Sequence, residues 1–137
     1  FATHEDGRPI ANRVEPGKRP RSSMAPTIVF DPAGKPFMVI GSAGGSRIIG
    51  FVAQRIIAAI DWDMDIGAAM AMPHVLARSD KVELENGASF LARELSGRYE
   101  QLVEMGDLTS GLTGIMFDGG RLYGAADPRR EGIALGR

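Results

Sequence analysis

Two pairs of short apolar runs, each joined by a turn-forming segment, dictate that this chain builds its sheet from hairpins. The first pair is Pro26-Thr27-Ile28-Val29-Phe30 and Pro36-Phe37-Met38-Val39-Ile40-Gly41, separated by Asp31-Pro32-Ala33-Gly34-Lys35. The second is Thr113-Gly114-Ile115-Met116-Phe117 and Arg121-Leu122-Tyr123-Gly124-Ala125-Ala126, joined through Asp118-Gly119-Gly120. β-Branched and aromatic residues bounded by Gly, Pro and Asp are what strands meeting at tight turns require. The first two runs are almost continuously apolar, which predicts a sheet covered on both faces. Hairpins of this kind also leave open edges, so the sheet is expected to be incomplete without partners.

The segment between the hairpins reads as mostly helical. Gly41-Ser42-Ala43-Gly44-Gly45-Ser46 breaks the second run. From Arg47 to about Trp62, apolar residues at 48, 49, 52, 56, 59 and 60 keep helical spacing with a wide buried face. Asp65 is placed to cap a short helix reaching Ala71, which Pro73 stops. Lys81-Val82-Glu83-Leu84-Glu85 alternates as a short strand, with Asn86-Gly87 as its turn. Ser89 to Met105, apolar at 91, 95, 99, 102 and 103, predicts an amphipathic helix ending at Gly106, with Gly97 inside it. The order hairpin, helices, hairpin predicts an α+β fold with helices packed beside antiparallel strands. Residues 1–25 form an extended arm and turn, 26–126 the core, and 127–137, Asp-Pro-Arg-Arg-Glu-Gly-Ile-Ala-Leu-Gly-Arg, a polar tail.

Composition removes several functions. Sixteen Lys and Arg against seventeen Asp and Glu leave a net charge of −1 in 137 residues, which gives no general attraction for nucleic acid or a membrane surface. With no cysteine, disulfides, thiolate nucleophiles and Cys-based zinc sites are excluded. His4 lies in the arm, and His74, after Met72-Pro73, reads as a helix-end or surface histidine; the two have no metal-ligand spacing. Neither a metal nor a cofactor is expected. The longest apolar stretch, Ile48 to Ile60, is broken by Gln54 and Arg55 and is too short to span a bilayer, so a soluble product is expected. The chain starts at Phe1 with no visible targeting peptide and reads as a cut or processed piece.

Two segments have chemical potential. Strand, then Gly44-Gly45-Ser46, then helix presents backbone N–H groups without helical acceptors, at the positive end of the helix dipole. Such a turn binds an anion or a developing oxyanion, and adjacent glycines admit a substrate close to the backbone. On its own it is more often an ordinary tight turn with Ser46 as the cap. Ser22-Ser23-Met24, after Lys18-Arg19-Pro20-Arg21, sets two hydroxyls and several cations at a strand entrance, where they either bind a carboxylate or form a solvated basic turn. No histidine stands near these serines in sequence, so a Ser-His nucleophile is unsupported.

Taken together, Lys18-Arg19-Pro20, Ser22-Ser23-Met24, Pro26-Thr27-Ile28-Val29, Gly41-Ser42-Ala43-Gly44-Gly45-Ser46-Arg47-Ile48-Ile49 and Gly124-Ala125-Ala126-Asp127-Pro128-Arg129 stand in the order and approximate spacing of one family. From Asn12 onward the chain resembles the C-terminal part of the small subunit of γ-glutamyltranspeptidases, which are N-terminal nucleophile hydrolases. The resemblance implies part of an αββα sandwich and an autoprocessed enzyme. In that family a new N-terminal Thr attacks γ-glutamyl amides such as glutathione and passes the acyl group to water, an amino acid or a peptide. It further implies that Ser22 and Ser23 hold the α-carboxylate of the γ-glutamyl group and that Gly44 and Gly45 form the oxyanion hole. Implied partners are γ-glutamyl substrates and the rest of the enzyme, namely the large subunit and the N-terminal part of the small one. Bacterial members are often periplasmic or extracellular.

No N-terminal Thr is present, and Thr27, Thr109 and Thr113 are internal and lack a free amine, so this chain alone is expected to be inactive. The arm carries Glu5-Asp6-Gly7-Arg8 in place of part of the family's loop. Two other readings compete: a related acylase of the cephalosporin acylase type, and a non-catalytic domain that self-associates through its strand edges.

Overall fold

The computed structural model describes residues 7–78, 81–98 and 102–136, and for 102–105 the backbone alone. His4 and Glu5-Asp6 lie outside the described residues. The elements in order are β1 (Thr27–Phe30), β2 (Pro36–Gly41), α1 (Ile48–Ile60), α2 (Ile66–Ala71), β3 (Val75–Arg78), β4 (Lys81–Glu85), α3 (Ala92–Arg98), β5 (Leu102–Gly106), β6 (Thr113–Asp118) and β7 (Arg121–Ala126). Short 3-10 turns at Gly45–Arg47 and Asn86–Leu91 lead into α1 and α3.

Both hairpins form, and they join into one antiparallel sheet in the order β1-β2-β6-β7. In the first turn the Asp31 carboxylate accepts from the Ala33 and Lys35 amides at 2.9 and 2.8 Å. In the second, Gly119 and Gly120 both take left-handed backbone angles, φ 54° and 78°, the geometry a two-residue hairpin turn needs and side chains resist. Thr27 pairs with Ile40, Gly41 with Thr113, and Thr113 with Ala126. The start of β1, the end of β2, the start of β6 and the end of β7 therefore share one end of the sheet.

Helices cover one face of that sheet. Met38 and Ile40 point into the main core, where they meet Phe51, Val52 and Ala59 of α1 and Ile66 and Met70 of α2. Asp65 caps α2 by accepting from the Gly67 and Ala68 amides. A Cβ at Gly114 would lie 2.6 Å from Met70 Cε, so the bare backbone there is what lets α2 sit on β6. The opposite face carries Ile28, Val39 and Ile115, cross-strand neighbours that are 56%, 38% and 41% exposed. The continuous apolar runs thus meet one covered face within this chain; on the second, Ala134 of the tail lies over Gly124, and Ile28, Val39 and Ile115 stay partly exposed.

The segment expected to be one helix to Met105 divides instead. It forms the Asn86–Leu91 turn, α3 and β5, with residues 99–101 outside the described set. Gly97 lies one residue before α3 ends, where the helical apolar spacing had to be carried by a residue that weakens a helix. β5 pairs parallel to β4, and β4 antiparallel to β3, giving a second, three-stranded sheet. Val82, Leu84 and Ala88 form its own small core with Val75, Leu91 and Leu95. β3 was not foreseen, since Val75-Leu76-Ala77-Arg78 is short and follows Pro73-His74.

Along α1 the buried residues are Ile48, Phe51, Val52, Arg55, Ala58 and Ala59. Ile49, Ile57 and Ile60 are exposed, because the apolar stripe is wider than the surface the sheet covers. The covered stripe contains an arginine. No helix among the described residues is long and apolar enough to cross a membrane. Phe51 is fully buried between the strand-to-helix turn and the His74 ring, whose centroid lies 4.1 Å away. Phe51→Ala in the full-length protein should cost about 3–5 kcal/mol, read as a lowered urea midpoint at unchanged slope.

Candidate functional site

The candidate site residues flank the sheet end where β1 begins and β2 ends. Ser22 and Ser23 precede β1 by a few residues, and Gly44 and Gly45 follow β2, so the Thr27–Ile40 pairing brings both segments to this end. Ser22 is exposed and its hydroxyl accepts from the Met24 amide at 3.2 Å, while Ser23 is half-buried. Gly44 and Gly45 take φ of 136° and 59°, and the helical turn starts at Gly45. No side chain caps this turn, so Ser46 is not its cap. Neither the Gly44 nor the Gly45 amide has an acceptor among the described residues. A Cβ at Gly44 would lie 2.5 Å from Phe51 Cε2. The position is thereby closed to any side chain.

Beneath this end is a buried polar network. Asp127, at the exit of β7, accepts from the Ser110 hydroxyl, from the Leu112 amide at 3.1 Å and from the Arg129 amide at 3.0 Å. Arg129 grips Glu85 of β4 with two bonds, 2.6 and 2.7 Å, and Asp127 at 3.0 Å. The same guanidinium donates to the Met70 and Met72 carbonyls, closing the C-terminal end of α2 with a cation as the helix dipole favours. Arg55 reaches the Met72 carbonyl from α1. His74 is completely buried, with its Nε2 2.7 Å from the Ser110 hydroxyl.

The direction of these bonds settles their chemistry. Ser110 donates its proton to Asp127, so its oxygen accepts from His74 Nε2–H, which fixes the histidine tautomer. A serine oriented toward a carboxylate, with a histidine donating to it, is held in place and is not activated for attack. His74 is therefore a structural group and lies in the core, contrary to its reading as a helix-end or surface residue. Pro73 ends α2 and turns the chain inward, and the ring is enclosed by Phe51, Ser110 and Arg55.

Charge states follow from the surroundings. Burial, then the neighbouring Arg55 and Arg129 guanidiniums, push His74 down to about 3, so it stays neutral. Burial, then Arg129, lower Arg55 to about 10, which leaves it charged at neutral pH. Burial works against the Asp127 carboxylate, yet the Ser110 hydroxyl, the Arg129 and Leu112 amides and the Arg129 guanidinium together hold it below its ordinary value. Glu85 is likewise lowered, its burial outweighed by Arg129 and the His74 amide.

With this geometry in view, the family model for gamma-glutamyltranspeptidase matches residues 2–137. The chain belongs to the gamma-glutamyltranspeptidase family. The glutathione hydrolase proenzyme of Escherichia coli K12 is 40% identical over 122 residues, covering 87% of this chain and 21% of that protein. The Bacillus subtilis 168 glutathione hydrolase proenzyme is 36% identical over 132 residues, covering 92% and 22%. A highly active mutant of gamma-glutamyltranspeptidase from Pseudomonas nitroreducens superposes with a TM-score of 0.80 at 29% identity, over 93% of this chain and 69% of that one. This member of the gamma-glutamyltranspeptidase family thus spans about a fifth of the curated relatives it matches.

The buried network was missed in the sequence because Asp127-Pro128-Arg129 opens a stretch that reads as a polar tail. One signal was present: an Asp and an Arg flanking a proline directly after a strand, with Arg55 in the buried stripe of a helix. No group of three His, Asp or Glu side chains among the described residues could hold a metal ion. A concavity of about 600 Å³ lies at the other end of the sheet, lined by Asp31, Asp63, Asp65 and Asp118 among others. There Asp31 and Asp65 are already occupied by their own turns.

Acid should destabilise this fold through the network. Between about pH 6.5, the ordinary histidine value, and about 3, the unfolded chain binds a proton at His74 that the folded chain does not. Stability therefore falls as pH falls through that window, and the lowered Asp127 and Glu85 add to the loss as they protonate at lower pH. Chemical denaturation of the full-length protein across pH 4.5–7, about the window in which an unperturbed histidine titrates, should show this slope. His74→Gln should flatten it.

Proposed function

We propose that this chain supplies the γ-glutamyl-binding and oxyanion-stabilising part of the acyl-transfer site of a glutathione hydrolase. What supports the reading is that Ser22-Ser23 and Gly44-Gly45 flank the same end of the β1-β2 pair, as the Thr27–Ile40 register requires. A γ-glutamyl donor has a free α-carboxylate at one end and the scissile amide at the other. Two hydroxyls beside Lys18, Arg19 and Arg21 suit the first, and two amides without acceptors suit the oxyanion that develops at the second. The curated Escherichia coli and Bacillus subtilis relatives are named glutathione hydrolases, which agrees with this chemistry.

The nucleophile in this reading is an N-terminal Thr that lies outside these 137 residues. Its attack places negative charge on the former carbonyl oxygen, and the Gly44 and Gly45 N–H groups receive that charge without moving. Water, an amino acid or a peptide then takes the acyl group. The exposed apolar part of the second face, with Ile28, Val39 and Ile115, fits a second sheet layer belonging to the rest of the enzyme. The 137-residue chain purified alone should give no turnover of γ-glutamyl-p-nitroanilide above the buffer blank.

Ser22→Ala combined with Ser23→Ala in the complete enzyme tests the carboxylate site. Each lost bond to a charged carboxylate is worth about 1.5–3 kcal/mol, so KM should rise and kcat/KM should fall by at least about tenfold. Near-normal kinetics would show that these hydroxyls only shape the turn.

A further inference from the structure

Locally, the Gly44–Gly45 turn is held by its own 3-10 backbone bonds alone, the Arg47 amide to the Gly44 carbonyl at 3.3 Å and the Ile48 amide to the Gly45 carbonyl. Both glycines are in left-handed backbone geometry, and no side-chain cap fixes the helical turn that starts there. Those bonds leave the direction of the turn to be set by its contacts with the rest of the fold. On one side the Ala43 amide donates to the Gly111 carbonyl at 3.2 Å. On the other side are Ser46 and Arg47, two of the three residues of the 3-10 turn, tied to a single buried carboxylate, Arg47 directly and Ser46 through Arg78.

That carboxylate is Glu83 of β4, 3% exposed. Arg47 meets it with two parallel bonds, Nε to Oε2 at 2.7 Å and a terminal nitrogen to Oε1 at 2.9 Å. Arg78 of β3 donates to Glu83 Oε1 at 3.2 Å and, with its other terminal nitrogen, to the Ser46 hydroxyl at 2.8 Å. Lys81 Nζ is 3.7 Å from the same oxygen. The hydrogen bond from Arg47 holds the Glu83 carboxyl below its ordinary value. It stays ionised across the working range.

Docking the small sheet on α1 does not need this arrangement. Leu76, directly opposite Glu83 on β3, is buried against the main core and packs on Gly50 so closely that a Cβ there would lie 2.6 Å away. Burying a carboxylate beside that contact costs desolvation, and such a pair gives geometry more than stability. The bidentate fork specifies the direction of Arg47, and so the direction of the backbone that carries the Gly45 amide.

We propose that Glu83 is a positioning residue for the oxyanion donors, acting through Arg47 and through Arg78 on Ser46. The inference rests on the reading of Gly44–Gly45 as donors. A donor array displaced by a fraction of an ångström still admits substrate but stabilises the transition state less. The effect belongs in kcat.

The test uses the complete, processed enzyme with γ-glutamyl-p-nitroanilide, comparing Gly45→Ala, Glu83→Gln, Arg47→Lys and the Glu83→Gln/Arg47→Lys pair, with a thermal midpoint for each. Gly45→Ala adds a side chain to the donor array at a left-handed position and should lower kcat about 10²–10³-fold. Glu83→Gln should lower kcat about ten- to a hundredfold with KM within about twofold. Arg47→Lys keeps the charge but loses the fork and should do the same. The pair should be little worse than either alone, since both act by one route. A folded Glu83→Gln with unchanged kcat, or with only KM raised, overturns the proposal. Should Glu83→Gln fail to fold, Arg47→Lys decides by the same criteria. If Gly45→Ala lowers kcat and the Glu83 and Arg47 variants do not, this inference alone falls. If Gly45→Ala leaves kcat unchanged, the donor reading falls and takes this one with it.

Discussion

The Arg129 guanidinium, enclosed between Glu85 and Asp127 and set against the last carbonyls of α2, is the joint on which the rest of the site depends. It ties four parts of the chain that are far apart in sequence: the end of β7, the face of β4, the end of α2 and, through Asp127 and Ser110, the loop before β6. A planar fork with fixed donor directions suits such a joint, because each partner must come to the cation at one angle. The loop before β6 then presents the Gly111 carbonyl to Ala43, one residue from the Gly-rich turn. A neutral histidine completes the arrangement. A second positive ring beside Arg55 and Arg129 would have no anion left to meet it.

β4 divides the labour between alternate residues. Its inward face reads Lys81, Glu83, Glu85, while Val82 and Leu84 on the other face pack into the small core under α3. Glu85 serves the C-terminal segment and Glu83 serves the strand-to-helix turn. One short strand, fixed by apolar packing on one side, therefore sets two carboxylates about two residues apart on the other. A strand is well suited to this, because its period of two keeps both on one face at constant spacing.

How much of this was legible in the sequence depended on range. The hairpins, the capped α2 and the Gly-rich turn are written in neighbouring residues: Asp31 before Gly34, Asp65 before Gly67, and Gly119-Gly120 after Asp118. The candidate substrate-side residues, Ser22, Ser23, Gly44 and Gly45, came from several ordered motifs read together as a family resemblance. β5 and the buried network were not legible. β5 pairs in parallel with a strand some twenty residues earlier, as Lys81 facing Leu102 shows, and local periodicity does not carry that kind of pairing. His74, Ser110, Asp127 and Arg129 are each unremarkable among their sequence neighbours; only the tertiary fold makes them one unit. Arg55 was the exception, a charge in an otherwise apolar helical stripe, and it was read as interrupting a membrane span.

The stripe of Ile28, Val39 and Ile115 also bears on how such a protein comes into being. β1 stands at one edge of the sheet, so this portion presents an apolar surface and an unpaired strand border together whenever its covering layer is not in place. Those are the conditions under which chains stick to copies of themselves. In the assembly proposed above, folding is thus a race: docking against the covering layer competes with encounters between chains. The intramolecular route is favoured by dilution, whereas crowding many nascent copies together favours the other. Expression level and temperature should decide yield here more than the intrinsic stability of the folded enzyme.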